Sequence, residues 1–169
     1  MITQAELVKM FDYHHNGYLV RKYSGAGRSN KAGATVGNYG SKNLGHRNCR
    51  YISTKINGQH YSVHLLIYCY HHGVLPKQLD HANGNSLDNR IENLRLATNF
   101  ENAQNRKKFV NNTSGVKNVS WHKAQQKWFV YIDVNKKRKN IGYFKDLEFA
   151  ELVALEAREK YHGAFANLS

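Results

Sequence analysis

The sequence predicts an α+β chain of two small modules, and three observations carry that prediction. Residues Leu79–Asn105 read as strand, turn-rich loop, strand and capped helix. Residues Val116–Phe144 hold three β-prone segments, followed after Asp146 by a segment with helical periodicity. Between them lies a polar, basic stretch rich in Asn, Ser and Gly, the composition of a linker. The expected division is a first domain over 1–108, a linker over 109–115 and a second domain over 116–169. With 169 residues shared between two domains, each core must be modest.

In chain order, residues 1–12 predict a short helix leading into a turn. Short strands follow over Tyr18–Tyr23, Arg50–Thr54 and His60–Val63, and Asn57-Gly58 is a strong two-residue hairpin signal between the last two. The intervening Gly/Asn/Ser-rich segment predicts a long basic loop, in which Arg28, Lys31, Lys42 and Arg47 are either phosphate contacts or solvated charges. Val63–Tyr70 reads as a buried helix ending near Gly73 and Pro76. Leu79–His81 and Ile91–Leu96 read as paired strands, with Asn83 and Asn85 as turn formers. Thr98 and Glu101 form a capping box for a helix from about Asn99 to Lys108.

In the second domain the strands are expected over Val116–Trp121, Lys127–Val134 and Arg138–Phe144, with Asp146 capping a helix to about His162. Ala150, Val153, Ala154 and Ala157 give that helix a small-residue face able to lie on a sheet. Alternation along the middle strand puts Trp128, Val130 and Ile132 on the helix-facing side. Phe129, Tyr131 and Asp133 fall on the other, open side.

Charge narrows the function. The chain carries 25 Lys and Arg against 12 acids, a net charge of +13. Ten basic residues face two acids over residues 1–79, and eleven face one over 106–145, whereas 80–105 hold two against four. Such basic flanks point to a nucleic-acid partner, because neutralising phosphates supplies most non-specific affinity. The bland alternative is a merely soluble basic protein. No basic amphipathic helix is evident, and the longest apolar run is far too short to span a bilayer, so no membrane partner is expected. Cys49 and Cys69 stand alone, without zinc-ribbon or disulfide spacing, and no signal peptide opens the chain; a reducing cytoplasm is expected. No coiled coil or long exposed apolar helix suggests a dimer, so a monomer in solution is expected.

The near-neutral island between the flanks concentrates Asp, His and Asn. Hydrolysing a phosphodiester needs an activated water, stabilised charge and an assisted leaving oxygen. A hard divalent cation takes oxygen ligands such as an Asp carboxylate and an Asn carbonyl. An imidazole, with a free pKa of about 6.5, can take the proton from water. Asp80 and His81 alternate across one strand, and Asn102 in the first turn of the following helix is placed to supply a second ligand. Asn93 reads as a loop organiser. His14, His15, His71 and His72 lack acidic or histidine partners at metal-binding spacing and read as surface residues.

Asp80-His81-x-Asn83-Gly84-Asn85, then Asp88-Asn89-Arg90-x-Glu92-Asn93-Leu94-Arg95 and Thr98-x2-Glu101-Asn102-x2-Asn105, resemble the HNH endonucleases of the phage and intron homing type. Val63-His64-Leu65-Leu66 is similar to that family's Val-His-Arg-Leu helix, with Leu65 where Arg is usual. The resemblance covers roughly residues 10–110. It implies a ββα-metal fold and metal-dependent DNA cleavage, with His81 as general base and Asp80 and Asn102 as metal ligands. Asn93 would be the middle Asn that fixes the loop and orients His81. Asn102 stands where many members carry a final His. An amide is a weaker, uncharged ligand, which implies one loosely held Mg²⁺ or Mn²⁺ per site rather than tight zinc.

Residues 111–167 carry a second resemblance. Asn112-Thr113-Ser114-Gly115-Val116-Lys117-Asn118-Val119, Lys127-Trp128-x-Val130-x-Ile132, Ile141-Gly142-Tyr143-Phe144 and His162-Gly163-x-Phe165-Ala166-Asn167 look like the AP2 DNA-binding domain. That family lays the open face of its sheet in the major groove of double-stranded DNA. Matching positions are Lys117, Ser120 and His122 on the first strand, Phe129, Tyr131 and Asp133 on the second, and Arg138 and Asn140 on the third. Arg138 and Asn140 are the expected base readers. Lys123, Lys127, Lys136 and Lys137, with Arg106, Lys107 and Lys108 before the linker, are expected at phosphates. Trp121 and Trp128 read as packing residues. Asn118 replaces a usual glycine, and Ser120 and Asp133 fall where basic residues are common, so base preferences do not carry over.

The leading expectation is a site-preferring, metal-dependent DNA endonuclease that cuts one strand or both. Its rivals are a DNA-binding protein whose nuclease core no longer cuts, and an RNA-directed protein. The last needs aromatic platforms, for which the sequence offers Phe129 and Tyr131.

Overall fold

Thr3 opens the fold in the computed structural model, which describes residues 2–25, 31–39, 51–106, 108 and 111–167. Its hydroxyl and the Glu6 carboxylate cap α1 (Gln4–Met10) reciprocally. The helix ends earlier than expected. Phe11, almost completely buried, begins strand β1 (Phe11–His14), which pairs antiparallel with β2 (Tyr18–Arg21). Burying that ring and completing a ladder outweigh the extra helical turn.

The chain divides into two compact units, Met1–Ala97 and Thr98–Ser169. In the first, β3 (Asn38–Tyr39), β4 (Ile52–Ile56) and β5 (Gln59–Ser62) form a three-stranded antiparallel sheet. Part of the expected long loop is therefore strand. Its Arg28, Lys42 and Arg47, with Arg50 and Cys49, lie outside the described residues. Asn57 and Gly58 both take positive φ, 48° and 81°, as a tight hairpin turn requires. Helix α2 (Val63–His72) buries Val63, Leu66 and Ile67 in a core with Leu7, Phe11 and Leu19. Gly73 closes it in the left-handed region at φ 76°.

Strands β6 (Leu79–His81) and β7 (Leu94–Leu96) pair antiparallel. The return strand is shorter than expected, because Ile91–Asn93 form a single 3₁₀ turn. That turn lets Asn93 point back into the loop it closes. Among the described residues no helix is long and apolar enough to cross a membrane.

In the second unit, α3 (Asn99–Gln104) carries the anticipated Thr98–Glu101 capping box but stops four residues short of Lys108. Strands β8 (Val119–His122), β9 (Lys127–Val134) and β10 (Lys137–Phe144) form an antiparallel sheet with β9 central. Helix α4 (Leu147–His162), capped by Asp146, packs on one face. Val119, Val130, Ala150 and Ala154 are buried there, with Trp128 against them. The parity expected for β9 thus appears. The first strand starts three residues later than expected because Asn118 takes φ 67°. Asparagine is the non-glycine residue best suited to that conformation.

The second unit also binds α3 to itself. The Lys117 ammonium donates to the Gln104 and Arg106 carbonyls at 2.7 and 2.5 Å, and the Asn167 amide donates to the Asn105 carbonyl at 2.8 Å. These bonds explain why the compact unit begins at Thr98, ahead of the boundary expected from sequence.

Candidate active site

Within the first unit the chemistry gathers on β6 and the loop that leaves it. Leu79, Asp80 and His81 are all buried. Asp80 faces Arg95 across the β6–β7 ladder, and its Oδ2 accepts from Nε at 2.8 Å and Nη2 at 2.5 Å. This charge-assisted pair neutralises a carboxylate that is only 7% exposed.

His81 points at a residue that sequence reasoning passed over. Its Nε2 lies 2.9 Å from Asn89 Oδ1, and Asn89 is 1% exposed. An amide oxygen can only accept, so Nε2 is the donor in this contact. His64, from α2, stands edge-on to His81 with centroids 5.2 Å apart, and Tyr51 lies 5.0 Å from His64. Burial, and secondarily the charge of His81, push the His64 imidazole down to about 3, so it is neutral across the physiological range.

The loop between β6 and β7 is held by amides. Asn93 Oδ1 accepts the Asn83 backbone N–H at 3.0 Å. Its Nδ2 donates to Asn83 Oδ1 at 3.0 Å and to the Asp88 carbonyl at 2.7 Å. Asp88 accepts from Asn83 Nδ2 at 2.7 Å and from Arg90 Nε and Nη2 at 2.8 and 2.6 Å. The Arg90 guanidinium holds the Asp88 carboxyl down at about 2. Asn93 therefore ties the loop together, and Asn89 is a direct side-chain partner of His81. Sequence carried one signal for this: Asn89 is a polar residue between two charged ones, with no turn of its own to explain it.

A second support comes from the β1–β2 hairpin. Gly17, at φ 82°, presses so close to the loop that a Cβ there would fall 2.4 Å from Arg90 N and 2.6 Å from the Asn89 carbonyl carbon. The Tyr13 hydroxyl accepts the Ile91 N–H at 3.1 Å. The hairpin thus fixes the backbone on either side of Asn89 and Arg90.

Asp80, His81 and Asn93 are brought together in this way. Asn102 sits on α3, in the second unit, its N–H bonded to the Thr98 carbonyl at 3.0 Å. Within the first unit the Asp80 carboxylate offers oxygen, the donor type that suits a hard divalent ion. Among the described residues no cluster of three or more His, Cys, Asp or Glu forms an alternative metal site.

Of the residues expected at DNA, Ser120, His122, Phe129, Tyr131, Arg138 and Asn140 lie on one sheet face by register, and Lys136 and Lys137 are exposed at the β9–β10 turn. Lys123 is exposed in the β8–β9 turn and Lys127 opens β9. Lys117 requires correction. It precedes β8, is half-buried, and its ammonium is engaged by two carbonyls, with burial pushing its pKa down to about 8. Arg106 and Lys108 are exposed, the latter donating to the Gly115 carbonyl at 2.7 Å, while Lys107 lies outside the described residues.

Comparison with known proteins agrees with this geometry. Residues 61–104 match the HNH endonuclease family. Protein 3.8 of Escherichia phage T7 is 36% identical over 107 residues, covering 61% of this chain and 86% of that protein. No solved structure matches the chain.

Proposed function

We propose, from the premise that this chain belongs to the family of phage Protein 3.8 and carries an HNH endonuclease domain, that it is a metal-dependent endonuclease of the homing type acting on double-stranded DNA. What supports the reading is the buried Asp80-His81 strand, closed by the Asn93-tied loop, inside the matched segment. In this reading the Asn89 carbonyl oxygen holds His81 as the Nε2–H tautomer. Nδ1 then takes the proton of the attacking water as the new P–O bond forms in line with the bond that breaks. Asp80 and Asn102 are the residues that would hold one Mg²⁺ or Mn²⁺. When bound, such an ion supplies charge stabilisation at the phosphate and assistance to the leaving oxygen. Asn93 keeps the loop, and with it Asn89, in register with β6.

One site per chain fits nicking of a single strand by a monomer. The second unit, a three-stranded sheet backed by a helix, serves in this reading as an AP2-like DNA-holding module, and the functional domains run 1–108 and 116–169. One observation favours the rival, a DNA-binding protein that does not cut: the Arg95 guanidinium already engages the Asp80 carboxylate. A plasmid assay separates the two. The nuclease reading expects supercoiled DNA to be nicked with Mg²⁺ or Mn²⁺ and spared by His81→Ala. Intact plasmid under conditions where gel shifts still occur would select the rival.

A further inference from the structure

The open face of the second unit's sheet is more aromatic than its strand sequences suggest. A register shift between Asn140 and Gly142 brings Tyr143 opposite Phe129, so a third ring joins the face. Phe129 lies 4.9 Å from Tyr143 at 29° between planes and 5.7 Å from Tyr131 at 25°. His122 meets Tyr143 edge-on at 5.2 Å, and the Arg138 guanidinium covers Tyr131 at 4.0 Å. The result is a continuous row of π groups, with Tyr143 38% exposed at its outer end.

This row is poorly suited to reading a duplex. Base-edge readout needs donors and acceptors that project into a groove. Arg138, the residue best suited to that task by type, lies against Tyr131 and donates to the Asp133 carboxylate at 3.1 and 3.3 Å. Rings bind bases through their π faces, which are available when the bases are unpaired. Beside Tyr131 and Arg138, a cleft of about 260 Å³ is lined also by Phe100, Arg106 and Lys108. That is below the roughly 300–1,000 Å³ of pockets for drug-sized ligands, and it sets aromatic rings beside four cationic side chains, Lys117 and Arg138 included, with the Asp133 carboxylate among them, so its net charge suits a phosphate. Lys123 and Lys136, exposed in the turns at the sheet's two ends, add charge for a backbone running along the row.

We infer that this face binds a single DNA strand by stacking unpaired bases on the Phe129 and Tyr143 rings and on the guanidinium plane of Arg138 where it covers Tyr131. The inference stands apart from the nuclease reading, because it concerns binding alone, and it replaces the duplex-reading role that the AP2 resemblance implies for this face. The test uses the full chain in EDTA, where metal-dependent cleavage is silent, and fluorescence anisotropy with a labelled oligo(dT) of about 20 nucleotides, longer than typical single-strand site sizes. A duplex of equal length is measured at the same salt. The oligo(dT) is expected to bind at least as tightly as the duplex. Tyr143→Ala, at an exposed position, is expected to weaken the single strand about tenfold while duplex binding shifts less than about twofold, and Tyr143→Trp is expected to keep parental affinity. Phe129→Leu, which retains apolar bulk, should lower single-strand affinity alongside an unchanged thermal melt. Single-strand affinity untouched by both Tyr143→Ala and Phe129→Leu would overturn the inference. So would equal losses on single strand and duplex, or an RNA strand of matching composition bound far more tightly than DNA.

Discussion

Replacing Asn89 with alanine probes the tautomer of His81 without touching the imidazole. The contact is a single neutral hydrogen bond, 2.9 Å long and buried. Such a bond is worth about 1–1.5 kcal/mol net, so its loss changes the ratio of the two ring tautomers by about 5- to 12-fold. Rates with the variant should fall by about tenfold, and by less than the loss from His81→Ala, for which removing a general base typically costs ~10²–10⁴-fold. Single-turnover nicking of supercoiled plasmid measures the rate, and gel shifts should report unchanged DNA binding. Asn89→Asp supplies the control that a purely structural role would not predict. A carboxylate in place of the amide holds the ring protonated to higher pH, so the acidic limb of the pH–rate profile should move upward while the plateau at alkaline pH survives. Parental single-turnover rates for Asn89→Ala across the pH range, in a protein that is folded by circular dichroism, would refute the assignment.

Three further outcomes follow from the same geometry. Asp80→Ala and His81→Ala should abolish cutting with DNA binding retained, whereas Asn102→Ala should shift activity to higher Mg²⁺ or Mn²⁺ concentration, read from metal titrations of the nicking rate. Gly17→Ala must place a Cβ against the Asn89–Arg90 backbone at a φ of 82°; a stability loss of about 2 kcal/mol or more in urea melts is expected, with a lower nicking rate. Buried His64, faced by Tyr51 and His81, has a folded pKa of about 3. Between that value and the unfolded value near 6.5, the unfolded chain binds the extra proton, so stability falls as pH drops through this window. At pH 5 the loss should be roughly 2 kcal/mol, and His64→Phe should flatten that part of the stability curve.

Features governed by neighbours along the chain were legible in the sequence. The Thr98–Glu101 box, the Asn57-Gly58 turn and the alternation in β9 are each set by residues a few positions apart, and each appears where expected. What escaped depends on contacts across the fold. β1 forms because Phe11 is drawn into the core. Asn89 carries little local signal because its partner, His81, lies eight residues away on β6. Tyr143 was assigned to no face because a one-residue register shift, invisible to strict alternation, reverses the parity of β10 after Asn140. The sequence pattern puts Lys117 in the first strand, but the left-handed Asn118 turns the backbone before that strand begins. In the candidate site, Asp80, His81 and Asn93 were readable as a motif. The roles of His64, Tyr51 and Gly17 emerge only from packing.

The hairpin that carries Gly17 bears on how this nuclease domain could be dissected or borrowed. The segment that matches the HNH family begins at Tyr61. Yet the wall against which residues 89–91 are pressed is built from Tyr13 and Gly17, more than forty residues upstream. A fragment trimmed to the matched segment would keep Asp80, His81, Asn89 and Asn93 and lose the abutment that sets their spacing. Its loop would relax away from β6 even if the strands still paired. The smallest transplantable unit therefore starts at Thr3, where the capped helix leads into that hairpin.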